Sequence, residues 1–176
     1  MRLTEVLGLE SGNMVFYHGG NLDGNQTEFI PQKGGRYEYG PGLYLTDHQG
    51  TAEKYAKGSR KLYRVEVEPG VDLQDATLSV ESVRDFVQKF VSKPKREWCL
   101  ALVERRVKDG RVPAYMFSNI LLNEKLMKPS NIHELRKFLV ENNIDYETVK
   151  NPFGWGENML VLYNMKKIKS VQKVSR

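Results

Sequence analysis

The hydrophobic residues follow two different periods along the chain. From 61 to 68 apolar and polar residues alternate, with Tyr63, Val65 and Val67 on one side. Alternation over this length is typical of a half-buried β-strand. Between 83 and 91 the apolar residues instead recur at i, i+3, i+4, i+7 and i+8: Val83, Phe86, Val87, Phe90 and Val91. This spacing predicts an amphipathic helix that packs one face on a core.

Shorter apolar runs place strands at both ends of the chain and helices in the middle. Strands are predicted at 14–17, 43–45, 159–163 and 168–174, and helices at 51–56, 98–108 and 115–122. Gly110 is expected to end one helix and Pro113 to begin the next. Asn131 and Glu134 have the spacing of a capping box at the start of a further helix. Strands at both ends with helices between them predict an α+β fold.

One long segment, from Asn21 to Gly42, has no sustained period and is rich in Gly, Asn, Gln, Pro and Tyr. Such composition predicts a loop, and loops of this length in compact domains are usually functional.

The length and composition indicate a single cytoplasmic domain. A chain of 176 residues forms one hydrophobic core, so we expect one domain over residues 1–176. No apolar run reaches bilayer length, and the N-terminus lacks the apolar stretch of a secretory signal. Cys99 is the one cysteine, which excludes a disulfide framework and a cysteine-based zinc site. We expect a cytoplasmic monomer without a membrane contact or a metal.

The positive net charge of +5 is concentrated at the C-terminus. Five basic residues and no acid lie beyond 165: Lys166, Lys167, Lys169, Lys173 and Arg176. Without these five, the 27 basic residues become 22 and equal the 22 acidic ones. The segment is interpreted as a solvated tail or a lysine-protected edge strand rather than as a contact for a phosphate-rich target, although that third interpretation stays open.

Candidate chemistry is concentrated between Tyr17 and Tyr55. His18 is followed by Gly19 and Gly20 directly after a strand, and glycines let a ligand approach the backbone closely. Tyr44 and Tyr55 offer flat faces to an aromatic ring, and the His18 ring offers a donor or an acceptor. The set suits a ligand with an aromatic carboxamide and sugar hydroxyls. The alternative is a strand-end histidine and two half-buried packing tyrosines.

These segments resemble the NAD-binding core of the ADP-ribosyltransferase superfamily, in its diphtheria-toxin-like (His-Tyr-Glu) branch, which includes the poly(ADP-ribose) polymerases. That branch has a His-Gly pair on its first core strand and a Gly-x-Gly-φ-Tyr strand, in which φ is apolar. A second tyrosine follows eleven residues later, as Tyr55 follows Tyr44 here. The resemblance covers roughly half of the chain, from Phe16 to Glu68 and more loosely after Ile144.

The resemblance implies a fold, a co-substrate and roles for individual residues. The implied fold is a split β-sheet core with a helical insertion between core strands, and the co-substrate is NAD. His18 would bond a ribose hydroxyl, and the Gly19 backbone would hold the nicotinamide carboxamide. Tyr44 and Tyr55 would sandwich the nicotinamide ring, and Arg36 would lie near the pyrophosphate, where arginine makes bidentate contacts.

The resemblance also implies a catalytic glutamate at the start of a late strand, which acts together with Tyr44 and His18. A carboxylate there stabilises the oxocarbenium-like ribose, as glycosidase carboxylates do. Aligning the apolar run on 159–161 gives this position to Glu157, whereas aligning it on 161–163 gives it to Met159. Residues two apart share one side of a strand, so Glu157 would face the cleft in either register. The alternative for Glu157 is a solvated carboxylate at a strand start.

The predicted function is therefore mono-ADP-ribosylation of a macromolecular acceptor, either protein or nucleic acid. Two alternatives stay open: a non-catalytic NAD-binding module, and RNA 2′-phosphate transfer on the same fold. The second calls for a basic cluster, and the pocket segments offer only Arg36. By analogy, the small size and isolated transferase core suggest a toxin or phage effector.

Overall fold

The computed structural model describes residues 12–22, 37–57 and 61–174. The predicted loop from Asn21 to Gly42 lies largely outside these residues, and Arg36 lies entirely outside them. The chain divides into two compact units. The sheet unit contains the described residues of 12–22, 43–70 and 146–174, and the helical unit contains 37–42 and 71–145. A single domain over residues 1–176 stays a prediction.

The described residues form eight β-strands and five α-helices. The strands are β1 (Met14–Gly19), β2 (Leu43–Thr46), β3 (Leu62–Val67), β4 (Thr77–Ser79), β5 (Arg111–Pro113), β6 (Tyr146–Lys150), β7 (Asn158–Leu162) and β8 (Ile168–Lys173). The helices are α1 (Gln49–Tyr55), α2 (Val80–Phe90), α3 (Arg96–Glu104), α4 (Ala114–Asn123) and α5 (Ile132–Glu141). The predicted α+β class is confirmed. None of these helices has the length and apolarity needed to cross a bilayer.

The sheet unit is built on one six-stranded sheet of order β6-β7-β2-β1-β3-β8. Every neighbouring pair is antiparallel. One face carries the hydrophobic core: Met14, Phe16, Leu22, Leu43, Leu45, Tyr63, Val65, Val67, Tyr146, Leu160, Leu162 and Met165. A slip of one residue would turn each strand's apolar side chains to the other face, so burial of this face fixes the register.

The helical unit packs α2 to α5 with the two-stranded β4-β5 sheet. Phe86 lies at its centre, with its ring centroid 4.6 Å from that of Phe138 and 5.8 Å from that of Phe117. Cys99 is buried in α3, as expected of a small apolar side chain, and burial raises the pKa of its thiol to about 11. Such a thiol is protonated near neutral pH and is a poor nucleophile.

Two local predictions are wrong. The helix expected over 98–108 ends at Glu104, because Lys108 and Arg111 exchange backbone hydrogen bonds across a two-residue turn. Both central residues, Asp109 and Gly110, have positive φ, which is the hairpin geometry that an Asp-Gly pair favours. The turn leads into β5 instead of closing a helix.

The capping box is the second error. The Asn131 side chain makes no capping bond to α5. Its Oδ1 instead accepts from the Ser130 hydroxyl, and Glu134 pairs with Lys137 at 2.8 Å. The reason is local geometry: residues 129–131 already form a 3-10 turn, so Asn131 has helical backbone angles rather than the extended ones of an N-cap.

Candidate functional site

His18 lies near the end of β1 with one ring nitrogen bonded and the other without a partner among the residues that the structure describes. Nδ1 is 3.0 Å from the Tyr44 carbonyl oxygen, and Nε2 is buried with no hydrogen-bond partner among the described residues. Burial lowers the pKa of His18, and the Tyr44 carbonyl opposes this effect only in part. A carbonyl only accepts, so the proton of the neutral ring is on Nδ1, and Nε2 presents a lone pair.

Gly19 is required by the packing of α1. A β-carbon at this position would lie 1.8 Å from the Ala52 backbone oxygen, so only glycine lets the helix lie directly on β1. Gly20 has φ +144, and a β-carbon there would approach His18 Nε2 to 3.3 Å. The contact of the Gly19 backbone with a carboxamide stays a prediction.

The two tyrosines lie on β2 and at the end of α1. Tyr17 pairs with Thr46, so two positions further along the antiparallel strands Gly19 lies opposite Tyr44. Both residues are on the face of the sheet that α1 covers. Tyr44 is half-buried on this face, which we call the α1 face. Tyr55, the last residue of α1, is 66% exposed. One tyrosine is therefore held by the sheet, and the other presents most of its surface to solvent.

Glu157 comes directly before β7 and is bound to the beginning of α1. The Thr51 hydroxyl donates to Glu157 Oε2 at 2.5 Å, and His48 Nδ1 lies 3.2 Å from Oε1. The Glu157 side chain is only 10% exposed, whereas that of His48 is 60% exposed. Both carboxylate oxygens thus lie against the segment that connects Tyr44 to Tyr55.

The register of β7 is fixed by a clamp between Asp47 and Asn158. Asp47 Oδ1 accepts from the Asn158 backbone N–H at 2.9 Å, and Oδ2 accepts from its side-chain amide at 2.8 Å. The Asp47 N–H in turn donates to the Asn158 carbonyl at 3.1 Å. Three bonds therefore hold the residue that follows Glu157 against the end of β2.

This register puts Met159 opposite Thr46. Met159 is 8% exposed, and it lies two positions after Glu157, so both lie on the α1 face. Glu157 is the one of the two that reaches Thr51. Glu157 thus adjoins α1 in the observed register, and its position facing a nicotinamide ribose stays a prediction.

The structure brings some of the candidate residues together and separates others. Gly19, Tyr44 and Glu157 share the α1 face, and Tyr55 ends the helix that covers it. The burial pattern of β1 alternates, so His18 lies on the other face with Met14 and Phe16 and reaches Tyr44 through its ring nitrogen. Arg36 lies outside the described residues.

Asp47, His48 and Thr51 are the site residues that the sequence interpretation missed. Two signals mark them: they lie between the two tyrosines, and His48 occupies the N-cap position, accepting from the Thr51 N–H at 3.3 Å. Their contacts with residues 157 and 158 are not local, since Thr51 and Glu157 are 106 positions apart. Sequence spacing alone does not reveal such pairs.

The turn before Glu157 carries two exposed aromatic side chains. Phe153 is 37% and Trp155 69% exposed, and the Lys54 ammonium lies 5.0 Å from the Trp155 ring centroid. Asn151 Oδ1 accepts from the Gly156 N–H at 2.7 Å and closes the turn. Glu157 therefore directly follows a hydrogen-bonded turn.

No protein-family model and no curated protein matches this chain. Among solved structures, the chain is similar to one described as "Crystal structure of an anti-CRISPR protein", with 13% sequence identity and a TM-score of 0.42. The similarity covers 94% of this chain and 98% of that chain. What the site does is therefore inferred from its own residues.

Proposed function

We propose that this protein is a mono-ADP-ribosyltransferase that uses NAD to modify a macromolecular acceptor. The observation that carries the proposal is the position of Glu157. It lies 113 positions after Tyr44 in the chain, yet it is held on the same face of the sheet and bonded to the helix that ends in Tyr55. A catalytic carboxylate that acts together with two tyrosines is what the family resemblance implies for cleavage of a nicotinamide–ribose bond.

The proposed reaction depends on the positive charge that develops on the ribose. The bond between ribose C1′ and the nicotinamide nitrogen breaks, and its electron pair leaves with neutral nicotinamide. Positive charge develops on the ribose, and the Glu157 carboxylate stabilises it, because a fixed negative charge in a partly buried site needs no rearrangement. A nucleophile of the acceptor then bonds to C1′ and releases its proton to solvent.

The remaining site residues suit the other parts of NAD. His18 lies on the other face of the sheet from Glu157, and its buried Nε2 has no partner among the described residues. A ribose hydroxyl that reaches it past Gly20, at the end of β1, is a donor that would satisfy it. Tyr44 and the exposed Tyr55 offer faces to the nicotinamide ring. The four helices between β3 and β6 occupy the chain position of the helical insertion that the family resemblance implies. An ADP-ribosyltransferase-like split core is part of the proposal.

The test is nicotinamide release from NAD by the full chain and by Glu157→Gln. The amide keeps the size of the side chain and an oxygen for the Thr51 hydroxyl, but it removes the charge. We expect release to fall by about 100-fold or more, the usual effect of removing one electrostatic contact to a transition state. Glu141→Gln, an exposed change on α5, is the matched control and should retain full activity.

Two outcomes would contradict the proposal. Undiminished release by Glu157→Gln would remove this carboxylate from the mechanism. Tight NAD binding without any release by the full chain would instead establish the alternative function, a non-catalytic NAD-binding module. Transfer of label from NAD to a protein or nucleic acid in a lysate identifies the acceptor class once release is measured.

A further inference from the structure

Besides the Thr51 hydroxyl at 3.5 Å, which suits either protonation state, His48 Nδ1 makes two contacts that need opposite protonation states. It is 3.3 Å from the Thr51 backbone nitrogen, which donates to it and needs a lone pair there. It is also 3.2 Å from Glu157 Oε1, a carboxylate oxygen that only accepts and therefore needs a proton on Nδ1. One ring nitrogen cannot do both at once.

The two contacts therefore belong to two states of the ring. A neutral ring with its proton on Nε2 caps α1 and leaves Glu157 bonded to Thr51 alone. A protonated ring always has a proton on Nδ1, so it gives up the cap and bonds Glu157 as a cation. Histidine changes between these forms between about pH 5 and 8.

We propose that His48 is a positioning residue: as its ring gains a proton, the Glu157 carboxylate changes from a state bonded to Thr51 alone to a state paired with His48 as well. The Thr51 hydroxyl holds the second carboxylate oxygen in both states. The proposal extends the proposed function, because it assigns pH control to the same carboxylate.

The other charged groups around His48 have contacts of their own. The Asp47 carboxylate is bound to Asn158, Glu53 accepts from the Gln49 amide at 3.1 Å, and Lys54 lies over Trp155. Among the described residues around the ring, Glu157 is thus the charged side chain that His48 contacts. The ring is 60% exposed, so it exchanges protons with solvent directly.

Pairing with His48 weakens the stabilisation that Glu157 gives to the cationic ribose. An imidazolium beside the carboxylate cancels part of the negative charge that stabilises the cationic ribose, and its own charge repels that ribose. Nicotinamide release should therefore rise with pH as His48 loses its proton. An ion pair with one exposed partner, worth about 1 kcal/mol, corresponds to a change of about fivefold.

The test compares the full chain with His48→Asn. Asparagine is among the best N-cap residues, so it keeps α1 capped, but it never carries a proton. Two NMR signals, the Thr51 amide nitrogen and the Glu157 carboxyl carbon, should move together between pH 5.5 and 8 in the wild type. His48→Asn should remove both movements and bring the ratio of release rates at pH 8 and pH 5.5 close to one. His133→Asn, in the helical unit, is the control and should keep the wild-type ratio.

The NMR signals do not depend on catalysis, so the two proposals fail separately. Signals of Thr51 and Glu157 that move equally in wild type and His48→Asn would overturn the switch. Coupled movement without nicotinamide release at any pH would support the switch and overturn the proposed function. A rate ratio unchanged by His48→Asn would show that the switch does not control transfer.

Discussion

Tyr55 is the candidate site residue with the least structural role. It ends α1 and is 66% exposed, so the fold gains little from its ring. Under the proposed function the ring stacks on nicotinamide, and one aromatic contact contributes about 0.5–1.5 kcal/mol. We predict that Tyr55→Ala weakens NAD binding by roughly 2- to 12-fold, whereas its free energy of unfolding changes by less than about 0.5 kcal/mol.

Isothermal titration with NAD and urea unfolding measure the two effects. Trp98→Ala is a matched control, since this side chain is an exposed aromatic of the helical unit, 47% exposed on α3. It should leave the affinity for NAD unchanged. Equal affinity of Tyr55→Ala and wild type would exclude Tyr55 from the nicotinamide contact.

His18 should make the protein less stable in acid. Burial lowers the pKa of His18 below its ordinary value of 6.5, so the unfolded chain binds more protons than the folded one. The stability from the neutral ring is therefore fully present above pH 6.5 and is lost as the pH falls toward the lowered pKa of the folded state. We predict that His18→Gln, which keeps a donor for the Tyr44 carbonyl, loses less stability on acidification than wild type does.

Urea unfolding at pH 7.5 and at pH 5.5 is the measurement. The loss in wild type should exceed that in His18→Gln by up to about 1 kcal/mol. A loss remains in the variant, because burial also lowers the pKa of His133. Identical losses in both proteins would show that His18 takes up its proton as readily in the folded state as in the unfolded chain.

At the scale of elements, the clamp between Asp47 and Asn158 joins the end of β2 to the start of β7. Asp47→Ala removes two bonds to a charged acceptor, at 2.9 and 2.8 Å. We predict a loss of about 2–3 kcal/mol in the free energy of unfolding. The Asn158 amide should also exchange with deuterium faster, because its acceptor is gone, and nicotinamide release should fall as Glu157 loses its fixed position.

Asp72→Ala is the comparison for this clamp. Asp72 Oδ1 accepts a local, exposed bond from the Gln74 N–H at 3.0 Å, so its removal should cost about 1 kcal/mol or less. If Asp47→Ala and Asp72→Ala are equally stable, the contacts of Asp47 with β7 add nothing beyond a local turn. Hydrogen exchange at Asn158 then also stays at the wild-type rate.

The elements with a clear period could be predicted from the sequence. The apolar stripe that begins at Val83 lies on α2, with Val91 directly after the helix, and the alternation over 61–68 is β3, since each buries one regular face. Strand β6 could not be predicted, because Glu147 is buried beside Tyr146 and Thr148 and breaks the alternation. The Tyr163 hydroxyl donates to Glu147 at 3.1 Å, a contact that local pattern does not reveal.

The candidate site likewise contains residues that could be predicted from the sequence and residues that could not. Tyr44, Tyr55 and the His-Gly pair are recognisable because their spacing is local, and they lie on the elements that the pattern predicts. The partners of Glu157 are not recognisable, because the sheet brings β7 to β2 only in the folded chain. Antiparallel pairing of distant strands therefore supplies what sequence spacing lacks.

At the scale of the whole molecule, the basic segment is partly a strand of the sheet: Lys169 and Lys173 belong to β8, Lys166 and Lys167 lie in the turn before it, and Arg176 lies outside the described residues. β8 pairs with β3 from Tyr63–Lys173 to Val67–Ile168, and Ile168 and Val171 pack against the core of the sheet unit. Lys169 lies 3.9 Å from Glu66, and Lys167 donates to the Pro69 carbonyl at 3.1 Å. The described part of the basic segment therefore ends in a lysine-bearing strand at the end of the strand order, which agrees with one of the two favoured interpretations of the sequence.

Because β8 is part of the sheet, comparing a truncated chain with a charge variant distinguishes the structural contribution of β8 from that of its charges. Truncation after Met165 removes the strand and uncovers apolar core, so we predict a loss of several kcal/mol, or failure to fold. Lys166 and Lys173 are exposed, and the double variant Lys166→Gln/Lys173→Gln removes two charges while keeping β8. Its free energy of unfolding should stay within about 0.5 kcal/mol of the wild-type value. Urea unfolding of both proteins is the measurement, and a truncated chain as stable as wild type would show that β8 contributes charge alone.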